Sequence, residues 1–163
     1  MKPSKINLNQ RLSSLRDETV QHESVSIRFG NITPWLVQHI RSVARVEGCL
    51  AWLTDPCLLQ ALASVHADIV VTSDKLHTKK RFARLASVRR VGRQRGRRRP
   101  LLHHKFMVGI SKNGQPLWVL TGSMNWSLHA QHNLEHVLMI EDPNVAKSFR
   151  EEFKRIRAIS RPI

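Results

Sequence analysis

Residues 102–110, Leu-His-His-Lys-Phe-Met-Val-Gly-Ile, and residues 117–126, Leu-Trp-Val-Leu-Thr-Gly-Ser-Met-Asn-Trp, decide how this chain is read. Both segments are short apolar runs of the length of buried strands, and Lys112-Asn113-Gly114-Gln115 between them has the composition of a hairpin turn. A His-x-Lys pair, His103 and Lys105, precedes a Ser-x-Asn pair, Ser123 and Asn125. Side chains two apart on a strand share a face, so each pair presents both members together, and His104 is turned to the other side. An imidazole, an ammonium and two neutral hydrogen-bonding groups near two strand ends suit a phosphodiester. The histidine can attack phosphorus, and the others can hold the non-bridging oxygens. Gly122 is expected to allow a close backbone approach or a positive φ. A helix starting just after Asn125 would offer free N–H groups to an anion.

The electrostatic setting is uneven. The 163 residues carry a formal charge of +15. Between Lys75 and Leu134 there are fourteen Lys and Arg and no Asp or Glu, and the rest of the chain is close to neutral. A solubility or targeting tail usually lies at a terminus, whereas this block is internal and surrounds the His-x-Lys. A field of one sign draws in polyanions, which points to nucleic acid, DNA or RNA, as the partner. Arg89, Arg90, Arg93, Arg95, Arg97, Arg98 and Arg99 are the expected backbone-binding residues, on an exposed basic loop at about 75–100. Trp118 and Trp126 are candidates to stack on bases, although many such tryptophans fill core space.

Around these segments the pattern is α/β, expected as one domain with a mixed, mostly parallel β-sheet flanked by helices. Residues 1–22 are polar and expected as a loose arm or short helix, leaving 23–163 as the domain. Val25, Ile27 and Phe29 alternate as in a half-buried strand. Thr33-Pro34, Asp55-Pro56 and Asp142-Pro143 each propose a helix start, with an N-cap oxygen before proline. Gly48 is expected to close the first helix before a strand at 49–54. Further strands are expected at 68–72, 105–110, 117–121 and 135–141. Cys49 and Cys57 are expected as buried free thiols, and no signal peptide or membrane-spanning run is visible, so a cytoplasmic location without stable membrane association is expected.

Taken singly, each site residue has a plainer explanation: a structural histidine, a solvated lysine, a turn at Gly-Ser-x-Asn, an exposed Glu135. His103, His104, His129, His132 and His136 also cluster in sequence, but no cysteine spacing supports zinc, and no metal or other cofactor is expected. In combination the residues are specific. HHK at 103–105, GSMN at 122–125 and the later Glu135 resemble the signature of the phospholipase D superfamily, in its single-motif, nuclease-like branch of small bacterial and plasmid endonucleases. The similarity extends over roughly residues 24–158.

That resemblance implies a phospholipase D-like catalytic domain and a metal-independent endonuclease or phosphodiesterase. His103 would be the nucleophile that forms a phosphohistidine, Lys105, Ser123 and Asn125 would bind phosphate, and Glu135 would orient the histidine. The family's site uses two facing motifs. A single copy of the His-x-Lys is read in this chain, so a homodimer with the site across its twofold axis is implied. Where the signature has Asp, five residues after the lysine, this chain has Ile110, and Asp142 is committed as a helix cap. Ile110 leaves a non-catalytic nucleic-acid binder as the alternative, with a phospholipid phosphodiesterase as a third reading.

Overall fold

The computed structural model describes residues 18–92 and 101–163. One nine-stranded sheet runs through the molecule in the order β1-β2-β8-β7-β6-β3-β4-β5-β9. Its strands are β1 (Glu18–His22), β2 (Val25–Phe29), β3 (Arg45–Leu50), β4 (His66–Thr72), β5 (Ser87–Val91), β6 (Lys105–Ile110), β7 (Pro116–Gly122), β8 (His136–Ile140) and β9 (Arg161–Pro162). The helices are α1 (Ile32–Arg41), α2 (Pro56–Ala63) and α3 (Pro143–Ile159), with a short 3₁₀ helix at Leu128–His132. The α/β class and the mixed sheet flanked by helices are as expected. The balance of pairings is not, because only β3–β4 and β4–β5 are parallel and the other neighbours are antiparallel. The expected β2-α1-β3-α2-β4 alternation is present, but β8, β7 and β6 stand between β2 and β3. Short apolar strands buried on both faces look alike in parallel and antiparallel surroundings.

The local signals held where a carboxylate caps a helix. Asp55 accepts from the N–H of Cys57 (2.8 Å) and Leu58 (3.3 Å) at the start of α2. Asp142 accepts from Asn144 (2.7 Å) and Val145 (3.1 Å) at the start of α3. The first cap differs. α1 begins at Ile32 after Asn31 in a left-handed conformation (φ 36°), with no side-chain cap bond. Thr33 is buried instead, and its hydroxyl donates to Asp55 at 3.4 Å. Gly48 does not end the helix. It lies inside β3, where a Cβ would stand 2.7 Å from Phe106 O of the neighbouring strand. The strand expected at 49–54 therefore ends earlier, at Leu50.

Two further segments differ from expectation. Residues 18–22 of the supposed arm pair with β2 as an edge strand. Residues 87–91 of the supposed basic loop form β5 beside β4. Arg89 is held there, donating from Nε to Ser160 Oγ at 2.9 Å and from Nη2 to Ser160 O at 2.5 Å. It is a fastener for the C-terminal strand and not a free phosphate ligand. Arg90 lies in the same strand with a buried Nε that has no hydrogen-bond partner. Arg93, Arg95, Arg97, Arg98 and Arg99 lie outside the described residues.

The sheet separates two apolar layers. Met107, Trp118 and Leu120 face α1 and α2 with Leu36, Ile40, Leu58 and Leu62. Phe106, Val108, Ile110 and Val119 face α3 with Ala146 and Phe153. Cys49 is in this second layer, where burial first and the Glu152 charge second push its thiol up to about 12. Cys57, contrary to expectation, is exposed. No helix among the described residues is long and apolar enough to cross a membrane.

Two buried carboxylates fix α3 to the sheet. Arg150 Nε meets Glu47 at 2.8 Å, and Arg157 Nε meets Asp68 at 2.7 Å. Removing one member of such a pair leaves a charge without its partner. Arg157→Ala is expected to lower the unfolding free energy by about 3 kcal/mol, because Asp68 has no second ion-pair partner among the described residues. Equilibrium urea unfolding measures this, and an unchanged midpoint would rule out the pair as a fastener.

Candidate active site

The pairing pattern collects chain ends at one end of the sheet. β3, β4 and β5 are parallel and finish there, at Leu50, Thr72 and Val91. β6 runs antiparallel to β3 and starts there, with Lys105 opposite Leu50. β7 then finishes there at Gly122, and β8 starts there at His136. Carboxyl ends of parallel strands are the usual place for a site in such sheets. His103, Lys105, Ser123, Asn125 and Glu135 all belong to segments at this end.

His103 is exposed, just before β6. Lys105 folds back over it, with Nζ 3.3 Å from each ring nitrogen and donating to His103 O at 3.0 Å. Trp52, on the segment leaving β3, packs against the same imidazole, with ring centroids 5.8 Å apart and planes at 82°. His104 points the other way as expected, toward Phe106 and Glu152 on the α3 face.

On the β7–β8 side, Gly122 is used for close approach and not for a positive φ: a Cβ there would meet His136 O at 2.2 Å. Ser123 grips the same residue, since its N–H donates to His136 O at 3.1 Å and its Oγ accepts from His136 N at 3.2 Å. The Ser123 hydroxyl donates to Glu135 Oε2, and Asn133 Nδ2 donates to Glu135 Oε1 at 3.2 Å. Glu135 is therefore held by Ser123 and Asn133 in this structure, not by the His103 ring. Asn125 has a buried Oδ1 without a partner. No helix starts directly after it. The 3₁₀ turn begins at Leu128, and Trp126 O accepts from Thr54 (2.8 Å) and Asp55 (3.1 Å).

Two cavities flank these groups. One, of about 280 Å³, is bounded by Glu135, Asn133, Gln131, Met124 and the first turn of α1. The other, of about 310 Å³, is bounded by Trp52, Thr54, Leu76, Asn125, Ser127 and His129. The tryptophans proposed for stacking are not available, because Trp118 and Trp126 are 5% and 2% exposed and belong to the core. Trp52 is the tryptophan at the site. Sequence reasoning missed it by placing it inside a strand. A second His-x-Lys tripeptide, His77-Thr78-Lys79, corrects the reading of a single copy; its histidine is buried, with Nδ1 2.8 Å from Thr72 O. Among the described residues, no group of three or more His, Cys, Asp or Glu is arranged to hold a metal ion.

Ile110 lies at the far end of β6 from His103, fully buried in the α3 layer. It is five positions along the strand from Lys105, roughly 17 Å of extended chain. Ile110 packs in the α3 layer, at the opposite end of β6 from the site groups.

A chain with this fold and this grouping of histidine, lysine, serine, asparagine and glutamate is a phospholipase D-like protein. The family model described as cardiolipin synthase, PLD-like domain, matches residues 37–157, and the chain belongs to that superfamily of phosphodiesterases. It is 32% identical over 119 residues to the mitochondrial cardiolipin hydrolase of Canis lupus familiaris, covering 69% of this chain and 45% of the dog protein's length. Two solved structures share the fold. NucT from Helicobacter pylori superposes with a TM-score of 0.71 at 16% identity, over 85% of this chain and 98% of its own. Nuc from Salmonella typhimurium, a phospholipase D family member, superposes at 0.67 and 20%, over 86% and 97%.

Lys105 and Glu135 are electrostatically linked. Partial burial lowers the Lys105 ammonium from the ordinary lysine range, and the Glu135 charge opposes that shift. Glu135→Gln removes the raising influence, so Lys105 is expected to lose its proton at a still lower pH. An NMR titration of the Lys105 side chain in both proteins measures this. A Lys105 pKa that stays put or rises in the variant would show that the two charges are not coupled.

Proposed function

We propose that this chain is a metal-independent phosphodiesterase that cleaves nucleic-acid strands, with its site completed by a second copy of itself. The observation that carries the reading is the meeting of His103, Lys105, Ser123 and Glu135 at one end of the sheet. Gly92 and Leu101, which flank the arginine-rich stretch in sequence, are bridged to each other at the same end. The phosphate of a bound strand sits against Lys105 and the Ser123–Asn125 turn. His103 attacks phosphorus, an N–P bond forms, and the P–O bond to the leaving nucleotide breaks. His103 of the second copy protonates that oxygen. Water then attacks the phosphohistidine, the same second histidine takes its proton, and the free 5′- or 3′-phosphate leaves. Lys105 balances charge that builds on the non-bridging oxygens. Arg93, Arg95, Arg97, Arg98 and Arg99 hold the strand by its backbone, without reading sequence.

The non-catalytic alternative is disfavoured by the position of Ile110, since the residue that departs from the signature lies outside the site. A lipid phosphodiesterase remains the second reading, favoured by the 32% identity to a mitochondrial cardiolipin hydrolase. The concentration of positive charge between Lys75 and Leu134 in the sequence favours nucleic acid.

Cleavage of labelled single- and double-stranded DNA and RNA, and of cardiolipin vesicles, in EDTA tests the reading. Wild type is expected to cut nucleic acid, and His103→Ala to lose at least about 10³-fold in rate. Hydrolysis of cardiolipin alone would transfer the site to lipid, and undiminished cutting by the variant would remove His103 as nucleophile.

The second copy has a surface to meet. Leu134, beside Glu135, is 67% exposed, and Leu128 on the same loop is 50% exposed. Leu134→Asp is expected to give a folded monomer by sedimentation, with activity reduced at least about tenfold. A monomeric variant with full activity would refute the shared site.

A further inference from the structure

The backbone on both sides of the half-exposed Trp52 is tied down. On one side of it Ala51 N donates to His104 O at 2.8 Å. On the other, Leu53 N donates to His77 Nε2 at 3.2 Å, and Leu53 bridges to Trp126. Because His77 Nε2 accepts that bond, its proton is on Nδ1, which donates to Thr72 O at 2.8 Å. Burial lowers the His77 pKa, which keeps this neutral form in place. The next residue in the turn, Leu76, has its N–H fixed to Asp74 Oδ1 at 2.8 Å and is 45% exposed. The backbone around the indole is thus set before any ligand arrives, which limits the ordering cost of binding.

The cavity beside Trp52 has a mixed lining. The indole and Leu76 are apolar, while Thr54, Ser127, Asn125 and His129 bring hydroxyl, amide and imidazole groups. Its volume of about 310 Å³ is at the small end for ligand sites. It adjoins His103 through the 5.8 Å Trp52 contact. A single flat heteroaromatic ring with polar edges fits such a lining. A long acyl chain needs a continuous apolar groove, and the four polar groups interrupt one.

We propose that Trp52 forms a base-binding subsite beside His103 that takes one unstacked nucleobase next to the scissile phosphate. The proposal rests on the nucleic-acid reading above and narrows it to strands that are single or locally opened, because a base within a duplex cannot leave its stack for the indole without unpairing. It also makes Trp52 a specificity-determining residue that the phosphate chemistry itself does not require.

The test is binding by the full chain in a His103→Gln background, which stops turnover. Two probes of equal length and charge are used, a thymidine 12-mer and an all-abasic 12-mer, at one fixed salt concentration. Cardiolipin-containing vesicles form a third arm. Trp52→Leu is expected to weaken binding of the thymidine strand by roughly 5- to 100-fold and to leave the abasic strand unaffected. Trp52→Phe, which keeps an aromatic face, is expected to recover most of the loss. Equal affinity in all variants, or equal loss on both strands, overturns the subsite and leaves the nucleic-acid reading standing. If the parent binds neither strand but binds vesicles through Trp52, both the subsite and the nucleic-acid reading fail.

Discussion

The site depends on how closely β7 and β8 run together where β7 ends. A Cβ at Gly122 would stand 2.2 Å from His136 O, so only glycine permits the approach. Once the strands are that close, the Ser123 N–H and Oγ take both backbone groups of His136, and the Ser123 hydroxyl still has its hydrogen free for Glu135. One residue then serves as the last rung of the ladder and as the anchor of the carboxylate. The neighbouring ladder, with Phe106 opposite Thr121, brings Lys105 to the same end. A side chain at 122 would force β8 away and carry Glu135 with it.

The two-residue period of β6 divides its labour between the sheet's faces. Lys105, Met107 and Gly109 lie toward α1 and α2, with Gly109 pressed under the Trp118 ring. Phe106, Val108 and Ile110 lie toward α3. The signature residue absent from this chain falls in the second set. On that face charge is already handled by Glu47 with Arg45 and Arg150, and by Asp68 with Arg157. Ile110 adds an apolar contact to this layer, within the packing of α3.

The parts of this fold legible in the sequence are those whose cause is local. Asp55-Pro56 and Asp142-Pro143 start helices because the carboxylate needs only the next two or three N–H groups. β6 and β7 were legible from their apolar runs and the turn between them, where Gly114 takes φ +82°. What failed depended on distant partners. Nothing near Ser87–Val91 marks it as a strand, because its three charged or polar members, Ser87, Arg89 and Arg90, are accommodated through β4, β9 and Ser160. Thr33 was read as a cap but is drawn inward by Asp55, 22 residues on. Trp52 was hidden for the same reason: the apolar run 49–54 reads as one strand, and only the ties to His104, His77 and Trp126 show that it turns away after Leu50. The candidate residues were gathered from order, spacing and the family resemblance, whereas the partner of Glu135 was expected to be the His103 ring and is Ser123, because the close approach of β7 and β8 that joins them is a tertiary feature.

A site that attracts polyanions must keep its own carboxylates from repelling them. The sequence does most of this by omitting acids from 75 to 134, but carboxylates remain near the site end, Asp55, Asp74 and Glu135 among them. Each of these is engaged by donors. Asp55, fully buried, takes two helix N–H groups, the Thr33 hydroxyl and the Gln131 amide. Asp74 takes the Leu76 N–H. Glu135 takes Ser123 and Asn133, with the Lys105 ammonium near enough to feel its charge. Donors spread a carboxylate's charge and hold it in one orientation. Glu135 is the one left beside Lys105, and its negative charge sustains that ammonium against burial.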